Sequence, residues 1–213
     1  MKLYATPPSP RAFKVLAVLN HLGLEAELCP VDLAGGEQMR PAFLALNPNH
    51  RVPVLEDDGF VLWESNAIMQ YLAAKKPEAG LWPAGARQQA DVSRWQCWEL
   101  GHWDRACSTL LFERFVKKLV GGGDPEPREV ERGERELREL AQVLDDHLRG
   151  RDWLAGNRLT LADLSIGAWL TCAQLGAFPL EGRREIARWY EGLAALPAWQ
   201  RSLAAPAVAA AGA

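Results

Sequence analysis

The sequence predicts an α/β domain followed by an all-helical one. Three observations carry that reading. Short β-like runs alternate with helical runs over residues 1–76, a stretch with Pro77, Pro83 and Gly85 interrupts the pattern at residues 77–87, and every pattern over residues 88–213 is helical. A chain of 213 residues accommodates two modest domains, at ~100–200 residues for a typical one.

Taken in order, Leu3–Ala5 reads as a strand and Pro10 to about Leu22 as a helix, with Ser9 at its N-cap position and Pro10 at the first helical position. Glu27–Val31 reads as a second strand, and a helix is expected near Gln38–Leu46. Two further strands, Val54–Leu55 and Phe60–Trp63, flank Asp57-Asp58-Gly59, a hairpin signal. A third helix runs from Ser65 to about Lys75. The order β-α-β-α-β-β-α is that of a thioredoxin-like domain, in which a sheet carries helices on its faces.

Beyond the interruption, the stretch from Arg87 to Lys118 places Leu100, Trp103, Cys107 and Leu110 at three- and four-residue spacings, one apolar stripe along a long helix. Gly121 to Pro125 ends it. A charged amphipathic helix follows, with Val130, Leu137, Leu140, Leu144 and Leu148 on its buried side and a solvated Glu/Arg face. Two more helices, Leu161 to Leu175 and Arg184 to Leu193, lead to a short one near Trp199 and an Ala-rich tail with too little apolar bulk to specify packing. Thr160 and Asp163 form an acidic relative of the capping box at the start of the Leu161 helix, a folding device rather than chemistry.

Composition narrows the function. The formal net charge is −3 and no Lys/Arg run occurs, which argues against a nucleic-acid or membrane-surface partner. Cys29, Cys97, Cys107 and Cys172 are scattered, without Cys-x-x-Cys or zinc-type His spacing. They read as buried thiols, and no metal site is expected. The N-terminus enters alternating structure at once, without the apolar stretch and cleavage site of a signal peptide, so a cytoplasmic location is expected.

Three segments offer chemistry. The Ser9 hydroxyl either caps its helix or donates to an anion held at the helix start, and a thiolate suits that position. Val52-Pro53 is either an ordinary strand-start proline or, if cis, a place where the Val52 backbone pairs with an extended peptide ligand. Glu64-Ser65-Asn66 opens the third helix, where a hydroxyl and unsatisfied N–H groups make either a plain cap or a carboxylate cradle.

In their order and spacing these segments resemble the cytosolic glutathione transferase superfamily over essentially the whole chain. Leu3-Tyr4 through Ser9-Pro10 to Val15-Leu16 and Gly23 is similar to its Ser-type bacterial, phi- or theta-like classes. The resemblance implies that Ser9 bonds the glutathione sulfur. Asn47-Pro48-Asn49-His50-Arg51-Val52-Pro53 matches the segment before the family's cis-proline, implying that the Val52 backbone pairs with the cysteinyl group beside Pro53. Glu64 and Ser65 match the pair that binds the γ-glutamyl carboxylate. Gln38 and Arg51 fall where glycyl-end contacts are made. Relatives commonly carry a basic residue beside Gln38, where this chain has Met39, and Arg40 or Arg51 stand as replacements. Gly156, Thr160 and Asp163 match the family's helix-capping motif.

Glutathione is thus the implied co-substrate of a detoxifying transferase, with attack on a hydrophobic electrophile, a peroxide or a disulfide. The second substrate is expected between domains, against Pro7 and Pro8 and the long helix, where Trp95, Trp98, Trp103 and Phe112 are candidates although aromatic stripes on bundle helices are core more often than pocket, and His102 is a further candidate that otherwise reads as structural or exposed. A homodimer is implied by the same resemblance. The alternatives are a non-catalytic docking protein on the same fold, a disulfide reductase or a dehalogenase.

Overall fold

Leu3 and Ala5 alternate with Lys2 and Tyr4 along β1 (Lys2–Ala5), the period of two that sends successive side chains to opposite faces. The computed structural model describes residues 1–6 and 9–204. In it β1 lies inside a four-stranded sheet of order β2-β1-β3-β4. It runs parallel to β2 (Glu27–Pro30) and antiparallel to β3 (Val54–Asp57), which pairs antiparallel with β4 (Phe60–Trp63). The parallel pair needs a crossover, supplied by α1 (Pro10–Leu22). The β3–β4 hairpin turns through Asp58 and Gly59 at φ 48° and 82°, the left-handed pair that a type I′ turn requires.

One sheet face is covered by α2 (Pro41–Leu46), whose Phe43 and Leu46 pack with Tyr4, Val31, Val52, Val54 and Val61. The other face carries Leu3, Ala5 and Leu55, all fully buried, under α1 and α3 (Ser65–Ala74), which pack on each other. The single helix expected near Gln38–Leu46 is instead a 3-10 turn, Glu37–Met39, followed by α2. Arg40 precedes Pro41 and is extended at φ −73°, ψ 147°, as the proline ring demands of its neighbour.

The second compact unit is Pro83–Ala194. Its long helix is built from α4 (Ala86–Trp98), α5 (Asp104–Leu111) and α6 (Lys117–Leu119), joined by π-helical turns at Glu99–Trp103 and Phe112–Val116. A π turn inserts a residue and rotates the helix beyond it. Trp103, Cys107 and Leu110 are fully buried as their spacing predicts, but Leu100 is 54 % exposed and its neighbour Glu99 takes the buried place. Ser165 Oγ and Trp169 Nε1 each donate to the Glu99 carboxylate at 3.0 Å.

α7 (Pro127–Leu148) buries Leu137, Leu144 and Leu148, with Val130 and Leu140 half-buried. Gly133 lets it approach α5, since a Cβ there would meet Leu110 Cδ2 at 3.0 Å and Thr109 Cγ2 at 3.2 Å. α8 (Leu161–Gly167) passes into a 3-10 turn, Ala168–Cys172, where one continuous helix was expected. At its start Thr160 and Asp163 form the capping box. Asp163 is fully buried and accepts from the Leu154 and Thr160 N–H groups at 2.8 and 2.9 Å and from Trp189 Nε1 at 3.1 Å. Burial pushes its pKa up to about 6, against the pull of those donors.

After α9 (Arg184–Ala194) the chain returns to the first unit, which comprises Met1–Trp82 and the segment from Ala195. α10 (Pro197–Leu203) packs on α1 through Phe13 and Trp199, edge to face at 4.7 Å, and Asn20 Nδ2 donates to Ser202 Oγ at 2.8 Å. The sequence division at residues 76 and 88 follows composition, whereas packing groups this last helix with the first unit. Of the four cysteines expected to be buried, Cys107 and Cys172 are; Cys29 is half-buried and Cys97 lies exposed on α4.

Candidate functional site

Strand register brings the predicted residues to one end of the sheet. Ala5 pairs with Pro30, Tyr4 with Val54, and Val54 with Trp63, so the ends of β1, β2 and β4 lie level with the start of β3. Each leads to a candidate: β1 to Ser9, β2 to Gln38, β4 to Glu64-Ser65, while Val52-Pro53 enters β3. Adjacent strands lie ~4.8 Å apart, so this row spans ~14 Å. An extended tripeptide, at ~3.5 Å per residue, spans ~10 Å and fits within it. Thr6 Oγ1 donates to Val31 O at 2.6 Å and ties two of the strand ends together.

Ser9 occupies the N-cap of α1 but makes no side-chain capping bond. Its carbonyl accepts from Phe13 N–H at 2.8 Å, so the backbone starts the helix and the hydroxyl is left for another partner. The segment before β3 is held by Asn47, 2 % exposed, whose Nδ2 donates to Arg51 O at 2.8 Å and whose Oδ1 accepts from Asn49 N–H at 3.0 Å. The Val52–Pro53 bond is cis. Among the described backbone hydrogen bonds none uses the Val52 N–H or C=O. Pro53 is buried and the Arg51 side chain is exposed.

At the end of β4, Glu64 is the N-cap of α3 at φ 71°, ψ 110°, a region non-glycine residues avoid at a cost of about 1–3 kcal/mol. Ser65 follows, 7 % exposed. No side-chain cap closes the start of α3, and its first N–H groups face the same end of the sheet as those of α1. Gln38 is half-buried; its Nε2 donates to Leu33 O over 3.4 Å, and its Oε1 is buried without a partner among the described residues. Met39 is 55 % exposed and Arg40 is exposed beside it.

The other candidates lie in the second unit or outside the described residues. Trp98 is half-buried between two rings, 5.3 Å from Trp95 and 5.7 Å from Trp103. His102 is exposed and Phe112 is 44 % exposed, each in a π turn. Pro7 and Pro8 lie outside the described residues. Among the described residues no group of three His, Cys, Asp or Glu side chains is placed to hold a metal ion, and no helix is long and apolar enough to cross a membrane.

Sequence reasoning missed the supports beneath this site. Asn47 belongs to a segment whose motif gives it no role, and its signal is an amide two residues ahead of Asn49 in a turn-rich run. The buried Lys14, whose Nζ donates to Asn66 Oδ1 at 2.9 Å, was missed as well, and its signal is a lysine between Phe13 and Val15 that interrupts the apolar run of α1.

Comparison with known proteins decides the family. Residues 1–74 match the glutathione S-transferase N-terminal domain and residues 106–197 the C-terminal domain. The chain belongs to the glutathione S-transferase family. It is 38 % identical to glutathione S-transferase 3 of Zea mays, over 96 % of this chain and 94 % of that one. It is 30 % identical to glutathione S-transferase D7 of Drosophila melanogaster, over 95 % and 88 %. Among solved structures, glutathione S-transferase III in apo form superposes with a TM-score of 0.84 at 37 % identity, covering 96 % and 95 % of the two chains. Glutathione S-transferase I bound with lactoylglutathione gives 0.85 at 28 %, covering 95 % and 98 %. The thioredoxin-like and helical domains expected from the sequence stand with this placement. So does the transferase activity, with glutathione as its co-substrate.

Proposed function

We propose that this transferase is of the Ser type, with Ser9 donating to the glutathione sulfur and holding it as the thiolate. The observation that supports this most is the Ser9 hydroxyl, at the start of α1 yet making no capping bond, at the same sheet end as Val52 and Glu64-Ser65. A thiol of pKa ~8.5 needs about 2.7 kcal/mol of differential stabilisation to fall by two units. A hydrogen bond to a charged group contributes ~1.5–3 kcal/mol and a helix N-terminus ~0.3–1 more. No general base is needed.

In this reading glutathione lies across the strand ends. Its γ-glutamyl α-carboxylate meets Ser65 and the start of α3 while its α-amino group donates to Glu64, its cysteinyl backbone pairs with Val52 beside Pro53, and its glycyl end points to Gln38, with Arg51 or Arg40 in place of the base absent at Met39. The thiolate attacks a hydrophobic electrophile, a peroxide or a disulfide, with Trp98, His102, Phe112, Pro7 and Pro8 as second-substrate residues. The finer class in this reading is Ser-type, phi- or theta-like. A homodimer, a cytoplasmic location and domain limits near residues 76 and 88 complete the reading.

Calorimetric binding of glutathione and S-methylglutathione to wild type and Ser9→Ala tests it. Ser9→Ala is expected to weaken glutathione at pH 8 and leave the S-methyl compound, which has no thiolate, unaffected. Equal effects on both would contradict a bond to the sulfur.

A further inference from the structure

Lys14 is 1 % exposed, a lysine in the apolar middle of α1. Removing an ammonium from water is unfavourable unless polar partners replace the water, so a buried lysine is retained for what it contacts. Its Nζ donates to Asn66 Oδ1 at 2.9 Å. Asn66 is the second residue of α3, directly after Ser65.

The placement is directional. α1 and α3 both begin at the sheet end that carries the candidate site, and they pack against each other. Helical side chains lean toward the N-terminus of their own helix. The Lys14 ammonium therefore reaches from the second turn of α1 back toward that end and meets α3 in its first turn. Glu64, held at φ 71°, needs such a support, because an unfavourable backbone angle persists only where its surroundings over-determine it.

We propose that Lys14 is a positioning residue for the γ-glutamyl end of glutathione. Through Asn66 it fixes the first turn of α3, and with it the orientation of Glu64 and Ser65 toward the α-carboxylate and α-amino groups. It acts through α3 and not on the sulfur. The inference rests on the glutathione site proposed above and adds to it a residue from a different helix.

The test compares glutathione with cysteinylglycine, which keeps the thiol and glycyl end but has no γ-glutamyl group, in steady-state kinetics with an aryl halide. Lys14→Met and Asn66→Ala are each expected to raise KM for glutathione about tenfold, the size of one hydrogen bond to a charged group. KM for cysteinylglycine and the pKa of the bound thiol should stay unchanged. Lys14→Arg should retain the wild-type KM within about twofold, and the Lys14→Met/Asn66→Ala double variant should be no worse than either single one, as for two residues sharing one interaction. An unchanged KM for glutathione in the folded variants would overturn the proposal, as would an equal rise for both thiols. Should Lys14→Met fail to fold, Asn66→Ala and Lys14→Arg decide the matter. A wild type with no preference for glutathione over cysteinylglycine would remove the underlying site reading, which the variants alone cannot do.

Discussion

The first unit gathers its candidate site residues at one sheet end, whereas the second buries Asp163 and Glu99 inside its helical core. In the first, Asn47 holds the loop before β3 and Glu64 starts α3 in an unfavourable conformation, next to residues whose groups have open positions. In the second, Asp163 and Glu99 are fully buried and bonded to indole and hydroxyl donors. Polar burial there specifies packing, while in the first unit Asn47 holds the loop that leaves the Val52 backbone groups open. The difference teaches that a polar residue's role is read from what it leaves open as well as from what it bonds.

Substitutions sharpen that contrast. The largest effect on activity is expected for Ser9→Ala, about 100-fold in kcat/KM at pH 7 from loss of one bond to a charged sulfur, with a melting temperature close to wild type; an equal loss of stability would make Ser9 a structural cap. The largest effect on stability is expected for Asp163→Asn, about 3 kcal/mol in urea unfolding, because the amide nitrogen cannot accept the backbone N–H bond that either carboxyl oxygen accepts.

That deficit should also depend on pH. Asp163 holds its proton up to about 6 in the folded chain, above its ordinary value of 3.8. Its contribution is therefore full below pH ~4 and lost as pH rises through 6, so the gap between wild type and Asp163→Asn should narrow from pH 4 to pH 7. Asp57 in the first unit runs the other way: hydrogen bonds from Lys75 and then Tyr71 hold its carboxyl below the usual range. Its contribution is present above pH ~4 and lost as pH falls, so an Asp57→Asn deficit should shrink in acid. Parallel pH profiles for the two variants would refute the contrast.

Asn47→Ala should cost about 1–3 kcal/mol by leaving the Arg51 carbonyl and Asn49 N–H unmet, and it should weaken glutathione binding as well. Gly133→Ala is expected to have the smallest effect. Contact with Leu110 at 3.0 Å costs about 1–3 kcal/mol, offset by about 1 kcal/mol of helix propensity, and a net gain in thermal stability would show that α5 and α7 can spread.

Much of the first unit was legible because short motifs carry their own geometry. Asp58-Gly59 announced its hairpin, Ser9-Pro10 the start of α1, and Pro53 the entry to β3. The pairing of Lys14 with Asn66, 52 residues apart, was not legible, because no local pattern encodes which helices pack together. In the second unit, Thr160 and Asp163 stated their capping box outright. The stripe through Leu100 misled because the π turns break the period that the inference assumed, and no residue type marks a π turn. The return of α10 to α1 depends on Phe13 meeting Trp199, again a tertiary fact.

The central claim, that Ser9 holds glutathione as its thiolate, is tested most directly by ultraviolet difference titration of bound glutathione in wild type and Ser9→Ala. A thiol pKa near 6.5 in wild type, about two units below the free value of ~8.5 and recovering toward it in the variant, is the expected result. The same pKa in both proteins would contradict it.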